Sequence, residues 1–126
     1  MIPIPWFKVD DTLHSHPKSR SAGLAAMGLW SLAGSYCSQY VTEGFVPEWF
    51  VVAWPNGKRL ASLLVKAGLW SQSSRESEPG WQFHDWEHYQ MTKEEIERDR
   101  EMNRERQKRF REKRREARKK GLDVVA

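Results

Sequence analysis

Cysteine is almost absent from this chain, and its scarcity limits both the folding and the chemistry of the protein. Cys37 is the only one in 126 residues, so no disulfide can form within the chain, which suits a reducing cytosol. Because Cys37 lies near the end of an apolar segment, we expect a small core residue rather than a nucleophile. One cysteine and two histidine pairs, His14 with His16 and His84 with His88, do not provide the ligand spacings of a zinc site. We therefore expect no metal.

Long hydrophobic runs are lacking as well. Residues 22–34 are apolar apart from Ser31, but a bilayer span takes ~20 such residues. The N-terminus has no basic region followed by an apolar run, so we expect no secretory signal. These observations predict a cytoplasmic chain that does not bind a membrane.

Recognisable catalytic arrangements are also missing. The chain shows no paired carboxylates in a shared context, no nucleophile beside a base and no glycine loop that could cradle phosphates. We therefore expect neither enzymatic activity nor a cofactor. Binding functions remain, so the distribution of charged and aromatic residues becomes the informative signal.

Charge and aromatic residues divide the chain near residue 91. Residues 1–91 hold seven Lys and Arg against eight Asp and Glu, and they include all seven tryptophans. Residues 92–126 hold fourteen Lys and Arg against nine Asp and Glu, so the whole basic excess lies there. We predict a globular domain over residues 1–91 and a basic, charged helical tail over residues 92–126 that is partly disordered.

The segment from Pro47 to Trp86 has the outline of a winged helix. A short apolar helix, the break Pro55-Asn56-Gly57, a second helix over residues 57–68 and two aromatic runs around a polar turn follow one another. Gly68 is expected to end the second helix in the left-handed conformation. One face of this helix is apolar, and a helix-turn-helix presents the opposite face to a DNA groove. That polar face carries Lys58, Arg59, Ser62 and Lys66.

Shorter signals predict the other elements of the domain. Trp6 to Val9 is a strand candidate. Pro17 is expected to open a helix that runs from Lys18 to about Ser38. Because this helix is apolar on nearly every side, we expect it to be buried. Phe45-Val46 is predicted to be a short strand that pairs with the wing. The helix that starts at Pro47 is expected to pack through Trp49, Phe50, Val52 and Ala53.

The wing itself is predicted as two strands, Leu69 to Ser71 and Trp81 to Trp86. The polar stretch between them contains the turn signal Pro79-Gly80. Arg75 is the one basic residue of the wing, and the two glutamates near it weaken its attraction for phosphates. A wing that contacts a protein therefore stays open as an alternative.

The tail is predicted to be a solvated helix with Thr92 as its N-cap and Glu95 completing a capping box. Its charged positions make it a poor coiled coil. Residues 104–120 hold eleven Lys and Arg against three Glu, which should attract phosphates without reading base sequence; a solubilising tail is the alternative. The eleven cations are Arg104, Arg106, Lys108, Arg109, Arg111, Lys113, Arg114, Arg115, Arg118, Lys119 and Lys120.

Several short motifs carry a resemblance to a known group of proteins. They are the run from Trp6 to Asp11, the AAMGLW of residues 25–30, Gly44 to Pro47, Ala67 to Trp70 and Gly80 to Trp86. Together they resemble small actinobacteriophage and prophage proteins described as helix-turn-helix or winged-helix DNA-binding proteins, some of which are similar to the N-terminal domain of phage replisome organisers. The resemblance covers about residues 6–91. It implies a DNA-associated phage role in a bacterial host cytoplasm, and none of its motifs is catalytic.

The sequence thus favours an α+β protein, a winged helix-turn-helix domain with a long charged C-terminal helix. The first hypothesis is a phage protein that binds double-stranded DNA in replication or transcription control; the second is a module that binds a host or phage replication or transcription protein. The oligomeric state stays open, since a palindromic DNA site would require a dimer. In the domain, the candidate DNA contacts are Asn56, Lys58, Arg59, Ser62, Lys66 and Arg75.

Overall fold

A computed structural model describes residues 6–90 and 92–121, which fall into two units, one of residues 6–90 and 92 and the other of residues 93–121. The fold is mixed α+β, as predicted. A short 3-10 helix, Leu13–Ser15, comes first. The labelled elements are α1 (Pro17–Ala22), α2 (Leu24–Tyr40), β1 (Phe45–Pro47), α3 (Glu48–Val52), α4 (Gly57–Lys66), β2 (Trp70–Arg75), β3 (Glu78–Phe83), α5 (Trp86–Tyr89) and α6 (Lys93–Lys119).

The three strands form one antiparallel sheet in the order β1-β3-β2. Val46 of β1 lies opposite Trp81 of β3, so the predicted pairing of Phe45-Val46 with the wing is confirmed. On the other side of β3, Trp70 of β2 lies opposite Phe83. Trp70, Trp81 and Phe83 are all buried, so the sheet turns its aromatic side chains toward the core.

The core of the domain forms where α2 and α4 pack together above this sheet. Along α2 the buried residues are three or four positions apart, which places them on one face of the helix. This face carries Ala26, Leu29, Ala33 and Cys37. From α4, Ala61 and Leu64 are fully buried. Small residues on α2 let the neighbouring elements approach closely.

The long helix predicted from Lys18 to about Ser38 is wrong in two respects. Gly23 has a φ of +92°, which an α-helix does not allow, so the chain forms two helices, α1 and α2, with the glycine between them. Nor is α2 buried on every side, because Leu24 is 93% exposed and Leu32 is 45% exposed. Apolar composition did not reveal which of these side chains face water.

The prediction for α3 also needs correction. Pro47 is its N-cap, as expected of a helix that starts there, but Val51 is its buried residue and was not predicted to pack. Trp49, Val52 and Ala53 are exposed instead, and Phe50 is only partly buried. A helix of five residues has room for little more than one inward position, and Val51 occupies it.

The expected strand at Trp6 to Val9 does not form. This segment hydrogen-bonds to a side chain rather than to another strand: the Lys8 N–H donates to Gln90 Oε1 at 2.9 Å, and Gln90 Nε2 donates to the Lys8 carbonyl at 2.8 Å. A primary amide has the same donor and acceptor pair as a peptide group, which is why Gln90 can substitute for a neighbouring strand. Gln90 is buried.

The β2–β3 hairpin, predicted as the wing, differs from the prediction in three respects. Its first strand is longer and its turn is tighter than expected, and β3 ends at Phe83 rather than at Trp86, which begins α5 instead. Its strands β2 and β3 each have six residues, and only Glu76 and Ser77 connect them, both with positive φ. Two central residues with positive φ make the type I′ connection, whose twist matches that of the paired strands. Pro79-Gly80 is therefore not the turn. Both residues lie within β3, opposite Ser74 and Ser73.

The C-terminal unit contains one long helix, α6, as predicted from the charged tail. It begins at Lys93, directly after the predicted N-cap Thr92, and continues without a break to Lys119. From residue 104 to its end, α6 is exposed apart from the partly exposed Ala117. No helix in the described part of the chain is long and apolar enough to cross a membrane.

Candidate nucleic-acid interface

The turn between α3 and α4 brings two backbones into direct contact. Asn56 stands before α4 with a φ of +57°, in the left-handed region, and the Gly57 N–H donates to the Trp54 carbonyl at 3.0 Å. A side-chain carbon on Gly57 would overlap the carbonyl oxygen of Val51. Glycine is thus the residue that lets α4 begin so close to the end of α3, and this contact sets the direction of α4.

The other end of α4 closes as the sequence predicted. Gly68 has a φ of +82°; its N–H donates to the Val65 carbonyl and the Leu69 N–H donates to the Leu64 carbonyl, both at 3.0 Å. This pair of bonds is the Schellman motif, which satisfies the last carbonyls of a helix. The chain then enters β2 directly, so α4 is held at both ends.

Held in this way, α4 presents the predicted polar face to solvent. Lys58, Arg59, Ser62 and Lys66 are all exposed, while Ala61 and Leu64 are buried. The Ser62 hydroxyl donates to the Lys58 carbonyl at 3.0 Å, which leaves its oxygen able to accept a further bond. Asn56 is exposed just before this face. The structure therefore brings together five of the six candidate residues of the domain.

The cations of α4 have no anionic partner within the described part of the chain. The salt bridges there join His84 to Asp85 and Arg104 to Glu101, and neither involves α4. Lys58, Arg59 and Lys66 could therefore meet an anion without first breaking an ion pair.

Arg75, the sixth candidate, lies on the β2–β3 hairpin, and its guanidinium already has contacts within the protein. Its Nη1 donates to the Thr42 carbonyl at 2.6 Å, and its guanidinium lies over the Phe45 ring with 5.1 Å to the centroid. A guanidinium has five N–H donors, so some remain available. The contacts nevertheless direct the group toward β1, and the adjacent turn is acidic.

The eleven candidate cations of the tail are all exposed. Ten lie on α6 and Lys120 directly follows it. At about 100° per residue they surround the helix instead of forming one face, a distribution that attracts phosphates from any side. Arg104 pairs with Glu101, and Arg114 lies over the Phe110 ring at 5.9 Å from its centroid.

A second exposed feature includes residues that were expected to pack in the core. The rings of Tyr36, Tyr40, Trp49, Phe50 and Trp54 form a chain of contacts with centroid distances of 4.8 to 6.2 Å. Tyr40 is 63% exposed and Trp49 is 56% exposed. We call these five residues the aromatic surface. The apolar residues of α3 predicted core packing instead, since spacing alone does not show which side of a short helix meets water.

Cys37 has the environment of a core residue. Its Sγ–H donates to the Phe45 carbonyl at 3.3 Å, and burial raises the pKa of the thiol to about 11. It is therefore protonated at neutral pH and a poor nucleophile. Among the described residues, no three His, Cys, Asp or Glu side chains are grouped so that they could hold a metal ion.

Comparisons with known proteins found no relative of this chain. No protein-family model matches the chain, and no curated protein and no solved structure matches it either.

Proposed function

We propose that this protein is a phage winged-helix protein that binds double-stranded DNA in replication or transcription control, with α4 in the groove. The exposed cationic face of α4, held by a backbone contact at one end and a Schellman motif at the other, carries the proposal. The order helix, strand, helix, helix and hairpin supports the winged helix, as does the β1-β3-β2 sheet. The resemblance of the domain to phage DNA-binding proteins supports the assignment to a phage.

The two charged regions would contribute differently to binding. Lys58 and Arg59 stand in the first turn of α4, the part of a recognition helix that meets base edges. Asn56 and Ser62 add polar groups beside them, and Lys66 reaches the phosphates. The α6 cations neutralise phosphates without distinguishing bases, so they raise affinity for every duplex. Arg75 adds at most a phosphate contact from the wing.

Fluorescence anisotropy with labelled random and phage-genome duplexes at two salt concentrations tests the proposal. The wild-type chain should bind duplex DNA more weakly as salt rises and should prefer some phage sequences. Changing Lys58 and Arg59 together to Ala should abolish this preference and weaken binding to the preferred duplex, by about 1–3 kcal/mol for each base that the side chains read. The melting temperature should stay the same, because both side chains are exposed.

A matched control removes two charges elsewhere in the domain. Lys8 and Arg20 are also exposed, so changing both to Ala lowers the net charge equally without touching α4. This variant should lose some affinity and keep its sequence preference. If the Lys58 and Arg59 variant showed the same sequence preference as the wild type, α4 would not be the helix that reads base sequence.

The aromatic surface favours a second candidate function, a module that binds a replication or transcription protein. Exposed aromatic side chains in a contiguous group are typical of protein-binding sites. The same titration separates the two functions. Absence of DNA binding even at low salt would leave the aromatic surface as the better site. Changing Tyr40 and Trp49 to Ala should leave DNA affinity unchanged if the first function holds.

A further inference from the structure

We propose that a cavity beside α1 binds a small aromatic carboxylate. The cavity has a volume of about 400 Å³ and lies within the first unit, between the segment after Trp6, α1, the end of β3 and α5. That volume is at the lower end of the ~300–1,000 Å³ found for small-molecule sites. None of the candidate DNA contacts lines it, so the proposal does not depend on the function proposed above.

One side of the cavity is aromatic. Phe7 and Trp86 are stacked with their centroids 5.9 Å apart and their planes 13° from parallel, and Trp30 meets Phe7 edge-on at 5.0 Å. Phe83 and Leu69 complete the apolar wall. Phe7 and Trp30 are only partly buried, so their rings remain available to a further ring. A planar apolar group fits a wall of this kind, because aromatic pairs gain from edge-on and offset contacts.

Hydrogen-bond donors occur on neighbouring residues of the chain at the α1 side of the cavity. The Ser19 hydroxyl is buried without a partner, although its residue lines the cavity. Buried hydroxyls nearly always have a partner, so this one indicates a missing acceptor. His16 Nδ1 accepts from the Lys18 N–H at 3.2 Å. A neutral His16 ring must therefore carry its proton on Nε2, which makes that atom a second donor.

Lys18 also lines the cavity and supplies a positive charge. Its ammonium lies beside Gly68, 3.8 Å from where a side-chain carbon on that glycine would be, and within the described residues no carboxylate lies within 4 Å of it. Two acids, Asp10 and Asp85, also line the cavity, and each has partners of its own among the described residues. Asp10 Oδ1 accepts from the Thr12 N–H and hydroxyl, and Asp85 Oδ2 lies 2.9 Å from His84 Nε2.

The chemistry of the ligand follows from this arrangement. A hydroxyl, a ring N–H and an ammonium on one turn of chain are donors for an anion with two acceptor oxygens, and the opposite wall takes a flat ring. A carboxylate attached to an aromatic ring has both parts. A neutral aromatic would leave Ser19 unpaired, and an aliphatic carboxylate would leave the ring wall in contact with water.

Naphthoate and naphthalenemethanol are suitable probes, because they share one ring system and differ in the charged group. The full chain is titrated with each, while the indole N–H signals of the assigned tryptophans are followed by NMR. Naphthoate should shift the Trp30 and Trp86 signals and leave those of Trp49 and Trp54 in place. It should bind at least about tenfold more tightly than the alcohol, the factor expected for one charge-assisted hydrogen bond.

Variants then assign the contacts. Lys18→Gln should weaken naphthoate binding about tenfold and leave the alcohol unchanged, while Lys58→Gln, which removes an exposed charge on α4, should change neither. Leu13 also lines the cavity, so Leu13→Trp should fill it and abolish the binding of both probes. Unmoved Trp30 and Trp86 signals at about 10 mM naphthoate would overturn the proposal. Equal affinity for acid and alcohol, or equal losses in Lys18→Gln and Lys58→Gln, would overturn it too.

Discussion

Gly57 shows how a single residue positions the candidate interface. Its backbone lies against the Val51 carbonyl, where a side-chain carbon would overlap the oxygen. The obstacle is a backbone atom near the end of α3, so it cannot rotate away as a flexible side chain would. Any larger residue must displace α4 relative to α3, and with it Lys58 and Arg59.

At this scale we predict that Gly57→Ala destabilises the domain by about 1–3 kcal/mol, the usual cost of forcing an extra carbon into a packed site. Chemical denaturation measures the change. Gly28→Ala is the matched control: Gly28 lies within α2, and a side-chain carbon there would meet nothing within 4 Å. That substitution should stabilise the protein by about 0.5–1 kcal/mol, since alanine favours a helix. Similar changes in stability for Gly57→Ala and Gly28→Ala would contradict the close contact between Gly57 and the Val51 carbonyl.

At the scale of elements, the turn of the β2–β3 hairpin contains two residues in an unfavourable conformation. Glu76 has a φ of +50° and Ser77 one of +66°, and neither is a glycine. The left-handed region costs an ordinary residue about 1–2 kcal/mol. The strands retain this turn because their six-residue ladder, from Trp70 opposite Phe83 to Arg75 opposite Glu78, leaves two residues to connect them.

We therefore predict that replacing Glu76-Ser77 by Asn-Gly raises the free energy of unfolding by about 1–2 kcal/mol, because these residues suit a type I′ turn. Thermal melting of the variant and the wild type measures this gain in stability. Placing the same pair at Ser73 and Ser74, within β2, should instead destabilise the hairpin, since both residues are unfavourable in strands. A gain at both positions would show that the turn is not the source of the effect.

For the whole molecule, the distribution of charge separates affinity from specificity. The residues 104–120 have a net charge of +8, and they lie on a helix with almost every side chain exposed. The domain has no basic excess, yet it carries the face proposed to read base sequence. Loss of the tail should therefore weaken binding to all duplexes while leaving the preference among them intact.

Deleting residues 104–126 should flatten the slope of log affinity against log salt by several units, because each phosphate contact contributes about 0.9 to it. The ratio of affinities for preferred and random duplexes should not change. A chain that lacks only residues 122–126 keeps all eleven cations and serves as the control. Identical slopes for the long deletion and the full chain would mean that the tail contacts no phosphates.

Local chemistry determined the parts of the fold that were predicted correctly. The polar face of α4 follows from a helical period, and its end follows from Gly68, which adopts the left-handed conformation without strain. The break at Asn56-Gly57 and the following hairpin are likewise encoded in neighbouring residues. Both ends of the candidate interface could therefore be located before any tertiary contact was known.

Tertiary structure alone decided which apolar residues were buried and which distant segments hydrogen-bond to one another. Val51 rather than Trp49 enters the core, and Lys8 bonds to Gln90, 82 residues away. The cavity likewise joins Phe7, Ser19 and Trp86 from distant parts of the chain. By itself the sequence determined the break at Asn56-Gly57, the polar face of α4 and the charge of each region, because these depend on residues a few positions apart. Burial and the cavity depend on contacts between distant residues, and only the folded chain brings those together.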